Sequence, residues 1–347
     1  MKIDQLIHWS QDQFNHIPWR ENRSLYTTLV SEIMLQQTTV GTVKNHYHRF
    51  LNTFPDLQAL ANATEEELLV AWKGLGYYRR AKNLKKIAEN IFHLHKGKFP
   101  AHYDELTKIP GIGPYTAQAL LSIGLDLPGL ALDANLERVI SRLYCLDEEK
   151  GPKLQRKIQN LFKEKKIFQF KGSYRSLNEA LMDLGRTYCQ ARKADCQLCP
   201  LKKDCMSFKV GNMLSYPREA QKKTLAEDHE IKLLRLFIKR GSKILCYQKS
   251  HKEWLSGQWE VPTFQISSTD EKLKQYPVLN KKCQIPETVF KTGITKYKIE
   301  NYLIQISQEE FKKYKFPHET AWRDLNDSQS NLSTATLKGL AKLKISL

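Results

Sequence analysis

The chain has 347 residues, of which 41% are hydrophobic and 10% aromatic, and this composition excludes disordered, collagen-like and disulfide-dense proteins. Lys and Arg number 55 against 37 Asp and Glu, and the net charge of +18 predicts a polyanionic partner, either nucleic acid or an anionic membrane surface. No apolar run approaches the ~20 residues that span a bilayer, and residues 1–5 lack the apolar core of a secretory signal. We therefore expect a soluble intracellular protein with two domains, at roughly 100–200 residues each.

Residues 3–208 carry a helical pattern. Apolar side chains recur there at helical spacing, and turn signals containing Pro and Gly separate the periodic stretches. The clearest stretches are 25–34, 68–72, 84–91 and 136–143. We predict an all-α domain, or a pair of helical lobes, over residues 1–215.

The composition changes after Ser215. The segment 216–229 begins with polar and charged residues, and it predicts a linker. Beyond it the apolar period changes to that of strands, with one closing helix. These elements are predicted at 231–238, 243–247, 296–306 and 335–343. We predict a smaller α+β domain over residues 230–347.

A glycine-rich turn is the first candidate binding motif. It reads Ile109-Pro110-Gly111-Ile112-Gly113-Pro114-Tyr115-Thr116-Ala117. Two glycines two residues apart allow a tight turn between helices, and they expose backbone N–H groups at a helix N-terminus, where phosphate binds. The segment 109–120 is similar to the hairpin of a helix-hairpin-helix DNA-binding element, which contacts the backbone without reading sequence. A plain corner between two helices is the alternative, but the basic chain favours DNA contacts at Gly111 and Gly113.

Four of the seven cysteines crowd into 17 residues with the spacing C-x6-C-x2-C-x5-C. They are Cys189, Cys196, Cys199 and Cys205. The odd number of cysteines and the expected intracellular, reducing compartment argue against a disulfide framework. Four thiolates without a histidine can hold either one Zn²⁺ or one [4Fe–4S] cluster. A structural zinc site usually has two C-x2-C knuckles, so the single knuckle here favours the cluster.

Two carboxylates have surroundings that suit acid–base chemistry. Glu32 lies seven and three residues after Leu25 and Leu29 in a predicted helix, so it shares their apolar face. A carboxyl there is desolvated, and its raised pKa would suit a general acid. Asp133 precedes a predicted helix that starts near Ala134, where it would cap the helix and stay ionised. Two carboxyls whose pKa values are pushed apart can form an acid–base pair, although a structural cap also accounts for Asp133.

Several ordered segments resemble the helix-hairpin-helix base-excision glycosylases, and specifically the adenine DNA glycosylases of the MutY family. The likeness runs from about Gln5 to Cys205 and resumes weakly over 244–264. Ordered matches over so much of the chain are far more specific than any single motif. The matching features are Pro18-Trp19-Arg20, Ser31–Thr38, Gly74–Ala81, Ile109–Ala117, Leu132–Val139, Asn178–Gly185 and the four cysteines.

The resemblance implies roles for the residues around the reacting bond. Glu32 would protonate a ring nitrogen of adenine, and Asp133 would face the anomeric carbon of the sugar. Arg20, Trp19 and Glu179 would hold the base after it leaves the stack. A glycosidic bond to adenine breaks when the leaving base is protonated and positive charge grows on the sugar, and two carboxylates meet these two needs.

The resemblance also implies how the DNA is opened and how far the reaction goes. Gln37 and Tyr77 would fill the gap left by the flipped base, which offsets the cost of unstacking it. Tyr115 matches an active-site position in the hairpin turn, where related bifunctional enzymes carry a lysine nucleophile. Without that amine no Schiff base with the sugar is expected, so the resemblance implies a monofunctional glycosylase that leaves an abasic site.

For the cysteines and the C-terminal domain the resemblance implies a cofactor and a partner. The cysteine spacing matches the family's [4Fe–4S] loop over 189–205. Segments within 230–347 resemble the Nudix-like domain that recognises 8-oxoguanine opposite adenine, and the lack of a glutamate-rich box argues against nucleotide hydrolysis. The recognition turn falls on Ile294, Thr295 and Lys296, where the family has Phe-Ser-His.

The sequence thus favours an enzyme that excises adenine from 8-oxoguanine:A and G:A mispairs in double-stranded DNA. We expect it to act as a monomer in the bacterial cytoplasm, on nucleoid DNA and without a membrane partner. A glycosylase for a different mismatched base is one alternative, although a buried acid at Glu32 suits a purine leaving group. A non-catalytic DNA-binding protein with an iron–sulfur centre is the other.

Overall fold

A computed structural model describes residues 2–168, 170–219, 228–279, 286–327 and 331–345. The chain divides into two compact units. The first comprises Met1–Ala63 with Gly74–Lys222, and the second comprises Thr64–Lys73 with Lys223–Leu347. Of the predicted linker 216–229, residues 220–227 lie outside the described residues.

Helices form the first unit, which confirms the all-α architecture predicted from apolar spacing. In chain order the described helices are α1 (Ile3–Phe14), α2 (Leu25–Leu35), α3 (Val40–Thr53), α4 (Leu57–Asn62), α5 (Glu65–Ala71), α6 (Arg79–Leu94), α7 (Tyr103–Leu106), α8 (Pro114–Ala119), α9 (Ala134–Tyr144), α10 (Pro152–Lys163), α11 (Tyr174–Thr187), α12 (Met206–Lys209), α13 (Gln308–Lys312) and α14 (Thr334–Lys342). Of these, α5, α13 and α14 belong to the second unit. A π-turn, Leu120–Gly124, continues α8. None of the described helices is both long and apolar enough to cross a membrane.

Polar side chains just before the helices explain where several of them begin. At the start of α2 the Ser24 hydroxyl accepts a hydrogen bond from the Thr27 N–H at 3.0 Å. Asp56 and Ser173 cap α4 and α11 in the same way. Replacing such a cap with alanine typically costs about 1 kcal/mol. These helix starts are therefore encoded locally, each by one side chain.

The main core of the first unit joins α1, α9, α10 and α11. Leu6, Leu136, Ile140, Ile158 and Leu181 are fully buried in this one cluster. Burying a side chain of this size stabilises the fold by about 1.5–3 kcal/mol. Because α9 packs against α10, α11 and α12, its N-terminus and the Asp133 that caps it have a fixed position.

Two sheets form within the described residues of the second unit, which confirms the predicted α+β character. The strands are β1 (His229–Phe237), β2 (Lys239–Arg240), β3 (Lys243–Gln248), β4 (Trp259–Glu260), β5 (Thr263–Ser268), β6 (Val289–Ile294), β7 (Tyr297–Gln305) and β8 (Ala321–Asp324). One sheet has the order β5-β1-β7-β6, and the other joins β2-β3-β4 with β8 paired to β3. β1 and β7 run parallel, with His229 opposite Tyr297.

β6 and β7 form a tight hairpin. Ile294 pairs with Tyr297 across its end, so Thr295 and Lys296 make the turn. Thr295 has a φ of 51°, a left-handed conformation that a two-residue hairpin turn requires. The turn residues singled out in the sequence therefore lie at the tip of a hairpin.

A buried ionic cluster lies in the second unit. Glu260 accepts hydrogen bonds from Arg235 at 2.7 Å and from Lys249 at 3.0 Å, and all three side chains are almost completely buried. Burial alone would raise the pKa of the Glu260 carboxyl, but the charges of Lys249 and Arg235 lower it to about 2. The cluster therefore links Arg235 of β1 and Glu260 of β4 with Lys249, which directly follows β3.

Candidate active site

Glu32 and Tyr115 meet in the interior of the first unit. Glu32 lies on α2 and is only 5% exposed, and the Tyr115 hydroxyl, at the start of α8, donates a hydrogen bond to its Oε2. Burial raises the pKa of Glu32 to about 7, and the charge of Asp133 adds to this, while the hydrogen bond from Tyr115 opposes it. The prediction of a raised pKa from helix spacing thus agrees with the structure. A carboxyl with this pKa can donate a proton at neutral pH.

Asp133 caps α9 and lies in the same site. Its Oδ1 accepts hydrogen bonds from the backbone N–H groups of Asn135 at 2.9 Å and Leu136 at 2.7 Å, and its Oδ2 accepts one from the Asn135 side chain at 2.8 Å. Burial raises the pKa of Asp133 above its ordinary value, and these hydrogen bonds oppose the rise. The sequence predicted a cap that keeps Asp133 ionised; the cap hydrogen bonds do lower its pKa, but burial raises it by more.

A charged cluster lies beside the two carboxylates. Arg20 Nη1 donates to Asp183 Oδ2 at 2.9 Å, and its Nε lies 3.6 Å from Glu179 Oε2. Glu179 also pairs with Arg23. The charge of Glu179 raises the pKa of Glu32 and that of Arg23 lowers it, so the cluster borders Glu32.

Arg23 and Asp183, which join this cluster, were not predicted from the sequence. Asp183 lies one helical turn after Glu179 on α11, so the (i, i+4) spacing could have indicated it. Arg23 comes from an irregular segment with no periodic signal. Trp19, which the sequence placed in the base pocket, packs edge-on against Tyr47 with ring centroids 5.6 Å apart.

Gln37 and Tyr77 are both exposed and both have left-handed backbones, with φ of 55° and 44°. Tyr77 exposes 57% of its surface, which is unusual for a large aromatic side chain. Non-glycine residues in this conformation cost of order 1–3 kcal/mol, and such strain clusters at functional sites. The two positions predicted to enter the DNA thus share an uncommon geometry.

The glycine turn before α8 is exposed and tight. Gly111 has a φ of 101°, a conformation that other residues adopt only with strain, and a Cβ there would lie 2.3 Å from Asn83 Oδ1 unless that side chain moved. Its carbonyl accepts a hydrogen bond from Asn83 Nδ2 at 3.1 Å. Gly113 is the N-cap residue of α8, and Pro114 is its first helical residue. The hairpin is therefore built as the sequence predicted, and it carries Tyr115 to Glu32.

The four clustered cysteines line one pocket, together with Arg142 of α9. Arg142 Nη1 lies 3.3 Å from Cys189 Sγ. Burial raises the pKa of the Cys199 thiol to about 12, so a bound cation would be needed to keep it a thiolate. In the described part of the chain no three Cys, His, Asp or Glu side chains converge on a site for a single metal ion. Four thiols around one pocket are a donor set that a [4Fe–4S] cluster or a zinc ion can use.

The hairpin tip of the second unit has a polar, aromatic surface. Lys296 Nζ lies 3.0 Å from His229 Nε2, and the His229 and Tyr297 rings stack with centroids 5.3 Å apart. Thr295 is exposed, and its hydroxyl donates to the Ile294 carbonyl at 2.8 Å. Thr295 therefore keeps its hydroxyl oxygen as an acceptor for a partner.

Comparisons with known proteins agree with this geometry. A family described as "HhH-GPD superfamily base excision DNA repair protein" matches residues 30–164. The adenine DNA glycosylase of Buchnera aphidicola subsp. Schizaphis graminum is 36% identical over 213 residues, which are 61% of this chain and 60% of that protein. The adenine DNA glycosylase of Buchnera aphidicola subsp. Baizongia pistaciae is 29% identical over an alignment that covers 94% of this chain and 92% of that protein.

A solved structure is also similar to part of this chain. The structure of a thermostable thymine-DNA glycosylase aligns with a TM-score of 0.52 and 25% identity, over 60% of this chain and 95% of that one. The match to the first relative spans 60% of that relative's length, less than two thirds. Residues 30–164 are therefore similar to the helix-hairpin-helix superfamily of base excision DNA repair proteins, and the two relatives described above are adenine DNA glycosylases.

Proposed function

We propose that the protein is an adenine-specific DNA N-glycosylase that excises adenine opposite 8-oxoguanine or guanine and leaves an abasic site. The observation that carries the proposal is the buried Glu32 carboxyl, whose pKa of about 7 leaves many molecules protonated at neutral pH. The adenine DNA glycosylases among the relatives support adenine as the base.

Glu32 and Asp133 divide the reaction between them. Glu32 gives its proton to a ring nitrogen of the flipped adenine, which makes the base a better leaving group. The bond from C1′ to N9 breaks, and its electron pair leaves with the base. The Asp133 carboxylate stabilises the positive charge that grows on the sugar. Water then adds to C1′, and the proton that it loses returns to Glu32.

Other residues of the first unit bind the base and open the duplex. The proposed base pocket consists of Arg20, Trp19 and Glu179. Asp183 orients Arg20, and Arg23 orients Glu179. Gln37 and Tyr77 fill the gap in the stack, and Gly111 and Gly113 contact the DNA backbone.

Tyr115 orients the Glu32 carboxyl and supplies no amine. A tyrosine at this position cannot form a Schiff base with the sugar. The reaction therefore stops at the abasic site. Borohydride should trap no covalent complex with the protein, and efficient trapping at a defined lysine would overturn the monofunctional assignment.

The four clustered cysteines are proposed to hold one [4Fe–4S] cluster. Its thiolate ligands would be Cys189, Cys196, Cys199 and Cys205, and the cluster would order the loop that carries them. Anaerobically purified protein should contain about four irons per chain. Stoichiometric zinc without iron would contradict this assignment.

Residues 230–347 are proposed to be a Nudix-like domain that recognises 8-oxoguanine. Adenine is a normal base, so a glycosylase that removes it must take its specificity from the opposite strand. Ile294 would pack on the stack, Thr295 would bond a base edge, and Lys296 would reach a phosphate. That the protein acts as a monomer in the bacterial cytoplasm remains a prediction.

A panel of duplexes tests the proposed base. Each duplex places adenine, guanine, cytosine or thymine opposite 8-oxoguanine or guanine, and mass spectrometry identifies the released base. We expect adenine alone to be released. Release of thymine would favour the alternative glycosylase, and binding without release of any base would favour a non-catalytic protein.

A further inference from the structure

Arg80, a buried residue in the first turn of α6, joins two surface segments. Its guanidinium donates hydrogen bonds to the end of α2 and the turn after it, and to the glycine loop before α6. The acceptors are the carbonyls of Ile33 (3.0 Å), Met34 (2.8 Å), Gln36, Leu75 (3.0 Å) and Gly76 (3.3 Å), and Thr38 Oγ1 (2.8 Å).

These acceptors flank the two exposed left-handed residues. Gln36 and Thr38 lie on either side of Gln37, and Gly76 immediately precedes Tyr77. The guanidinium carbon also lies 5.6 Å from the centre of the Tyr77 ring. The last carbonyls of a helix have no partner inside the helix, so Arg80 satisfies groups at the end of α2 while it fixes the segment beyond.

We propose that Arg80 is a positioning residue that holds Gln37 and Tyr77 in a fixed mutual geometry before the DNA arrives. This inference rests on the proposed function, in which those two side chains enter the base stack. Ordering two loops in advance removes part of the cost of binding. The planar guanidinium fork reaches acceptors on both segments at once, whereas a lysine ammonium at the same place cannot.

The test compares Arg80→Lys with Arg79→Lys, which makes the same change at an exposed neighbour on α6. Single-turnover adenine release is measured on an 8-oxoguanine:A duplex and on a duplex with adenine opposite an abasic site, where the base is already unpaired and flips at lower cost. Arg80→Lys should slow release from the mispair about tenfold, a barrier increase of about 1.4 kcal/mol. With Arg80→Lys the rate of release of the unpaired adenine should fall less than about threefold. Arg79→Lys should change neither rate.

A double-mutant cycle separates positioning from general destabilisation. In a Gln37→Ala/Tyr77→Ala background, Arg80→Lys should cost little more, because there is no wedge left to position. Equal loss on both duplexes, or full additivity in the cycle, would overturn the inference.

A milder variant covers the case in which Arg80→Lys fails to fold. Thr38→Val removes one acceptor of the guanidinium and keeps the side-chain volume, and it should show the same duplex dependence on a smaller scale. An equal effect on both duplexes would again overturn the inference. If the wild-type protein releases no adenine, the proposed function is wrong. If the wild type is active but the variants slow release equally on both duplexes, or the cycle is fully additive, only the role of Arg80 is wrong.

Discussion

At the scale of single residues, the chemistry of Glu32 comes from its burial and from one contact. The apolar face that desolvates it is visible in the sequence, because helix spacing alone places Glu32 with Leu25 and Leu29. Its hydrogen bond to Tyr115 joins residues 83 positions apart, and no local pattern encodes such a pairing. The rise in the pKa of Asp133 was also not predictable, since the sequence shows the cap but not the burial around it.

The rate of base release should fall as the pH rises through the pKa of Glu32. The protonated form is the acid, and its pKa is raised to about 7, so the single-turnover rate should be level below that value. Above it the rate should drop about tenfold per pH unit, as for a single ionisation. Glu32→Gln should lower the rate by roughly 10²–10⁴-fold and remove this dependence. A rate that rises through pH 7 would contradict the role.

Asp133→Asn should retain DNA binding and lose base release by several orders of magnitude. Asparagine keeps an oxygen that can accept the two backbone cap hydrogen bonds of α9, while the negative charge and the acceptor for the Asn135 side chain are removed. Asp56→Asn is the matched control, because Asp56 caps α4 with a 2.8 Å bond to the Ala59 N–H and is exposed. Gel-shift affinity and single-turnover rates are measured together. If Asp133→Asn releases adenine at a near-normal rate, Asp133 serves only as the N-cap of α9.

At the scale of elements, the helices follow from local signals and the small strands do not. α2 and α9 appear where apolar spacing places them, with Ser24 and Asp133 as their caps. β6 and β8 have exposed or half-buried residues along their length, so they show no strong apolar pattern and were not predicted. Arg80 links segments more than 35 residues apart, which sequence spacing cannot reveal.

Glu260→Gln should destabilise the second unit by about 3–5 kcal/mol, because it leaves two buried cations without their counter-charge. Glu300→Gln is the control, since Glu300 pairs with Lys291 at 3.4 Å on the surface and should cost at most about 1 kcal/mol. The free energy of unfolding in urea measures both.

The same cluster predicts an acid limit of stability. The folded pKa of Glu260 is lowered to about 2, so its contribution is complete above the unfolded value of about 4.5 and is lost as the pH falls towards about 2. The wild type should lose this stability between those pH values, and Glu260→Gln should not. Equal acid sensitivity of the two proteins would contradict the assignment.

At the scale of the whole molecule, the two compact units carry different parts of the proposed task. The first holds the carboxylates, the hairpin and the cysteine pocket, and the second holds the hairpin tip. The sequence predicted the change from helices to an α+β fold after Ser215. It did not predict that Thr64–Lys73 would group with the second unit, because that grouping depends on contacts between residues far apart in the chain.

Thr295→Ala in the full chain should reduce the preference for 8-oxoguanine over guanine opposite adenine. One hydrogen bond to a base edge is worth about 1–2 kcal/mol, so the ratio of the two affinities should fall accordingly. Thr53→Ala, which removes an exposed hydroxyl from α3, is the control. An unchanged ratio of the two affinities would contradict a recognition role for the hairpin tip. Equally weaker binding to both duplexes would mean that the tip contacts only the DNA backbone.

Single-turnover incubation with a duplex that carries one 8-oxoguanine:A pair tests whether the protein excises adenine through Glu32. The wild type should release free adenine and leave an abasic site in the strand that carried it, one for each active molecule. Glu32→Gln should bind the same duplex and release almost none. A wild type that binds this duplex and leaves the adenine in place, or a Glu32→Gln variant as fast as the wild type, would contradict the account.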